Sequence, residues 1–105
     1  MAYYRNKRSY RFKKSNYSPE GRFQYHTERY FSPGKFGVKF GSKKHLYSMG
    51  FCDAFSGIDN TQAIKHNDGK ELGKAYSFGN KRGNLAASNY FAITGKQPFD
   101  LKYKR

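Results

Sequence analysis

The sequence predicts a small α+β fold, a β-hairpin covered by one or two helices, with a disordered basic arm before it and a flexible basic tail after it. Three observations carry this. Apolar residues alternate in KFGVKFG (35–41) behind a turn signal, they recur at helical steps from Ser42 onward, and no apolar period of either kind runs through residues 1–20.

The arm, residues 1–20, interleaves Arg5, Lys7, Arg8, Arg11, Lys13 and Lys14 with Tyr3, Tyr4, Tyr10, Phe12 and Tyr17, and holds no acid before Glu20. Lacking Leu, Ile and Val, it cannot build a core of its own, and it closes in SPEG, which reads as a turn. The domain follows at 21–95. RFQYHTERYF (22–31) puts Phe23 and Tyr25 on one strand face, SPGK (32–35) suits a type II turn, and Phe36, Val38 and Phe40 line one face of the returning strand, giving a hairpin over 22–41. Whether those last three side chains are core or ligand-facing is open. A hairpin alone is marginal and needs cover. The cover is a helix over 43–56, with Ser42 as N-cap, Tyr47, Phe51 and Phe55 at four-residue steps, and Gly57 as stop. Asp59 and Asn60 can cap one short helix before Gly69.

A helical segment at 70–94 follows from Leu72, Tyr76, Gly79, Gly83, Ala86, Tyr90 and Ile93, with Gly95 as its end. Its glycines at 73, 79 and 83 each cost up to about 1 kcal/mol relative to Ala. Either the helix breaks near GNKRGN (79–84), or the glycines admit another backbone. Tyr-Ser-x-Gly occurs at 47–50 and again at 76–79, a short match of little weight in so Tyr- and Gly-rich a chain. The tail, 96–105, returns to cations and rings.

Composition narrows the function. The 105 residues carry a net charge of +14, divided as +10 over residues 1–44, −2 over 45–69 and +6 over 70–105. Such an excess repels itself and implies an anionic partner. Leu, Ile, Val and Phe together make 18 residues, so ten Tyr must help any core to form. One cysteine excludes an internal disulfide, and the scattered His26, His45 and His66 make no zinc spacing, so neither metal nor cofactor is expected. No apolar run reaches the ~20 residues of a membrane span, and no secretory signal is expected. The expected place is intracellular, in cytoplasm or nucleoid, or in a virion.

Phosphate backbones attract Lys and Arg. Bases of single strands stack on rings. Both chemistries recur together here, and the sequence therefore predicts a non-enzymatic protein that coats or packages single-stranded DNA or RNA with low sequence specificity, as a viral or phage genome-associated protein would. The candidate contacts are Arg5, Lys7, Arg8, Tyr10, Arg11, Phe12, Lys13, Lys14 and Tyr17 in the arm. In the domain they are Arg22, Tyr25, Arg29, Lys35, Lys39, Lys43, Lys44, Lys81 and Arg82, the last two as an accessory phosphate contact. The alternative is a structural subunit of a ribonucleoprotein or virion whose arm threads into nucleic acid or neighbouring proteins. A homo-oligomer or capsid neighbours are the other partners considered. Catalysis is disfavoured because the seven acids form no close pair, although His45 and Cys52, seven apart on a helix, could pair.

Overall fold

The computed structural model describes residues 18–98. These form four helices: α1 (Pro19–Phe31), α2 (Lys43–Phe55), α3 (Thr61–Asp68) and α4 (Lys70–Thr94), with a single 3-10 turn, Pro33–Phe36, between α1 and α2. There is no strand among the described residues, so the expected α+β class and its hairpin over 22–41 are replaced by an all-helical bundle.

The correction begins at SPEG. Ser18 is an N-cap in extended conformation whose Oγ accepts from the Gly21 N–H at 3.0 Å, Pro19 occupies the first turn and Glu20 faces the positive end of the helix dipole. What reads as a turn is therefore a helix start. Along α1 the inward residues are Pro19, Phe23, His26, Thr27 and Tyr30, spaced at three and four; Thr27 is 1% exposed, and the Phe23 ring meets Phe55 at 4.8 Å. The apparent alternation of Phe23 and Tyr25 divides across the helix, leaving Tyr25 outside. The returning strand fails for a backbone reason. Gly37 and Gly41 have φ of 72° and 78°, left-handed values that no strand tolerates, and Gly37 caps the 3-10 turn that Pro33 opens. Of the three side chains left open, Val38 is buried, whereas Phe36 and Phe40 are exposed.

α2 is capped by Ser42, whose Oγ accepts from the His45 N–H, and it buries Leu46, Phe51, Ala54 and Phe55. Phe51, Phe55, Ala86 and Ala87 form the core, with Phe23 and Tyr47 packed against it. α3 is short and contributes no buried residue. Its start is fixed by Asp59, whose Oδ1 accepts from both the N–H and the hydroxyl of Thr61.

α4 runs unbroken through GNKRGN; Gly79 and Gly83 face α2, and Gly73 faces Lys65 of α3. A Cβ on Gly79 would overlap the Tyr47 carbonyl oxygen, a Cβ on Gly50 the Tyr76 carbonyl oxygen, and a Cβ on Gly83 the Phe51 carbonyl oxygen. The two Tyr-Ser-x-Gly segments thus cross reciprocally: each glycine receives the carbonyl of the other segment's tyrosine. Asn80 secures the seam, its Nδ2 donating to Gly50 O at 3.1 Å and to Ile58 O at 2.8 Å. Leaving such buried amide groups unpaired would cost ~1–3 kcal/mol.

Tyr76, fully buried, ties α4 to the segment after α2. Its hydroxyl donates to Asp53 Oδ2 at 2.6 Å and accepts from the Asn60 N–H at 3.0 Å. Burial raises the Asp53 carboxyl above its ordinary value, and the hydrogen bond from Tyr76 partly offsets this. Tyr76→Phe keeps the ring and orphans both partners, so the expected loss in urea unfolding is about 2 kcal/mol. A loss under ~0.5 kcal/mol would show that water replaces the hydroxyl at both groups.

Candidate nucleic-acid interface

α1, the segment after the 3-10 turn, the first half of α2 and the middle of α4 enclose one open groove of about 630 Å³. α1 supplies Tyr25, His26 and Arg29; the connecting segment supplies Phe36, Gly37 and Val38. Lys43, Lys44, Tyr47 and Ser48 come from α2, and Ala75, Phe78 and Arg82 from α4. No carboxylate lines it among the described residues.

Helix geometry explains the grouping. Tyr25 and Arg29, and likewise Phe78 and Arg82, are four residues apart, so each pair forms one ring-and-cation patch on its helix. Lys43 and Lys44 occupy the first turn of α2, where the helix dipole repels cations and no acid is present to compensate. Only a loose exposed pair, Lys43 Nζ to Glu71 Oε1 at 3.6 Å, offsets that charge.

Arg29 is held differently from the other cations. Its guanidinium lies 3.5 Å from the Tyr25 ring centroid and 4.6 Å from that of Phe36, and donates to the Tyr25 carbonyl at 3.0 Å. It therefore clamps the connecting segment onto α1 by cation–π contacts. Phe78, 55% exposed, has no ring or cation partner among the described residues.

The floor is His26. Its Nδ1 lies 2.9 Å from Ser48 Oγ, and its ring packs 4.2 Å from Phe51 and 5.0 Å from Tyr25. Burial first, then the positive charges of Arg29 and Arg22, lower its pKa from the ordinary 6.5 to about 4. The unfolded chain thus takes up a proton between these values that the folded chain refuses, so stability falls as pH drops through that window. At ~1.4 kcal/mol per pH unit, acidification from pH 7 to pH 4 should cost about 3 kcal/mol through this group. Asp53, raised by burial, acts in the opposite sense, so the measurement is the difference between wild type and His26→Gln in urea unfolding at pH 7 and pH 4.5. Equal slopes for the two proteins would refute the assignment.

The sequence-predicted contacts divide accordingly. Tyr25, Arg29, Lys43, Lys44 and Arg82 share the groove. Arg22 lies over the Phe51 ring at 5.6 Å, and Lys35, Lys39 and Lys81 are exposed away from the groove lining. The glycines of GNKRGN, Gly79 and Gly83, are sealed against α2. Arg5, Lys7, Arg8, Tyr10, Arg11, Phe12, Lys13, Lys14 and Tyr17 lie outside the described residues. Sequence reasoning missed Phe78, Tyr47 and His26. The i, i+4 spacing of Phe78 and Arg82 was a usable signal, and the fold is needed for the other two.

The His45–Cys52 pairing is not made. His45 Nδ1 accepts from the Gly41 N–H at 3.0 Å and its Nε2 meets the Tyr30 carbonyl at 2.9 Å. The Cys52 thiol lies 3.3 Å from the Thr27 hydroxyl, and burial pushes its pKa up to about 12. No helix among the described residues is long and apolar enough to cross a membrane. Protein-family models, curated proteins and solved structures yield no match to this chain.

Proposed function

We propose that this chain binds single-stranded nucleic acid with low sequence specificity, and that the groove between α1, α2 and α4 is the domain's contribution to that grip. One observation carries the reading: Lys43, Lys44 and Arg82 converge on the same groove as the exposed rings of Tyr25, Phe36 and Phe78, with no acid among them. Cations hold the phosphates and rings take unpaired bases, which a duplex keeps stacked within itself. The arm's cations and rings have the same composition and would extend the contact along the strand. Coating or packaging of a genome fits a chain of this charge.

The test is a titration of the full chain with a labelled single strand, the matching duplex and anionic vesicles over a salt series. Tightest binding to the single strand, with a steep salt slope, is expected. Equal affinity for all three would leave charge alone as the cause and favour the alternative, a scaffold subunit of a ribonucleoprotein or virion.

A further inference from the structure

We infer that the groove receives one nucleotide unit, with the base against Phe78 and its phosphate among Lys44, Lys43 and Arg82; this rests on the strand-binding reading above and names what the groove itself takes. The rings in the groove are not equivalent. Tyr25 and Phe36 already carry the Arg29 guanidinium, and Tyr47 packs against His26 at 5.5 Å. Phe78 alone offers a face that no described ring or cation covers.

The cations are not equivalent either. Arg29 is committed to its two rings and the Tyr25 carbonyl. Lys44 and Arg82 have no salt-bridge partner among the described residues, and Lys43 has only its loose pair with Glu71. Arg82 stands one helical turn beyond Phe78, so a free ring and a free cation are neighbours on the same face of α4. A base and its own phosphate, joined through one sugar, can reach such neighbouring side chains together. The volume of about 630 Å³ lies within the ~300–1,000 Å³ of small-ligand sites, which suits one nucleotide better than a stack of several.

The experiment uses the full chain and three small probes at low salt: adenosine 5′-monophosphate, adenosine and inorganic phosphate, followed by backbone amide shifts. The monophosphate should bind about tenfold tighter than either adenosine or phosphate, since stacking and charge each contribute at least a factor of that order. Its shifts should centre on Gly37, Lys44 and Phe78. Phe78→Ala should reduce monophosphate affinity to that for phosphate, Phe78→Tyr should restore it, and Lys44→Gln with Arg82→Gln should reduce it to that for adenosine. Phe78 is an exposed side chain, and the amide spectrum of each variant verifies its fold directly.

The inference is overturned if the monophosphate binds no tighter than phosphate, if its shifts map away from the groove, or if Phe78→Ala changes nothing. A labelled oligothymidylate run in parallel separates the two levels. Strand binding without monophosphate binding overturns the nucleotide site and leaves the strand reading standing. Monophosphate binding without strand binding overturns the strand reading and leaves the groove a site for free nucleotides.

Discussion

Gly79→Ala should destabilise this protein by about 3 kcal/mol or more, although helix propensity alone favours Ala at an interior position by ~1 kcal/mol. The two effects oppose each other, and sterics wins because the obstacle is main chain. The added methyl would overlap the Tyr47 carbonyl oxygen and lie 3.0 Å from the Tyr47 Cα, neither of which can swing aside as a side chain would. Relief requires the helices to separate, which loosens the core of Phe51, Phe55, Ala86 and Ala87 along the whole crossing. Gly50→Ala should behave alike, since it meets the Tyr76 carbonyl in the reciprocal position. Gly34→Ala is the control: it has open space and an ordinary φ, and it should change stability by less than ~0.5 kcal/mol. Urea unfolding of the three variants decides the matter. A stabilised Gly79→Ala would mean that the two helices do not touch at this point.

Neutralising the groove should give the second large effect. Combining Lys43→Gln, Lys44→Gln and Arg82→Gln removes three cations that share one lining. On single strands each lost phosphate contact lowers the salt slope by about 0.7, so the combined variant should lose about 2 from its slope and about 100-fold in affinity at 0.1 M salt. The matched control changes three exposed cations outside the groove lining, Lys35→Gln, Lys39→Gln and Lys70→Gln, leaving the same net charge. A fluorescence anisotropy titration in which both variants weaken equally would place the binding in net charge rather than in this groove.

The legible and illegible parts of the fold have physical explanations. α2 is plain in the sequence because its inward positions are large and apolar, Leu46, Phe51 and Phe55, behind a serine cap. α1 is concealed because two of its inward residues, His26 and Thr27, do not count as apolar, and each is made fit for the interior by a partner far along the chain: Ser48 for His26 and Cys52 for Thr27. Without those partners, Phe23 and Tyr25 are the only conspicuous rings before Arg29, and they alternate like a strand. The Ser-Pro-Glu start was the local signal that should have outweighed this. In 35–41 the alternation of Phe36, Val38 and Phe40 is real, but Gly37 within it and Gly41 at its end take left-handed angles, and periodicity ignores them.

The site divides in the same way. Tyr25, Arg29, Lys43, Lys44 and Arg82 are recognisable by residue type, whereas their convergence depends on how α4 crosses α2, which local patterns do not encode. Two features hinted at that crossing: the helical glycines that could admit another backbone, and the repeated Tyr-Ser-x-Gly, whose meaning is a reciprocal contact between the two segments.

That reciprocal seam has a kinetic consequence. Two walls of the groove belong to helices locked carbonyl to Cα where Gly50, Gly79 and Gly83 meet the opposite backbone. Their separation is therefore set once, during folding, so under the strand-binding proposal a polyanion would meet a cleft already open to its width. Encounter should then proceed at the pace of diffusion and electrostatic steering, without a slow isomerisation afterwards.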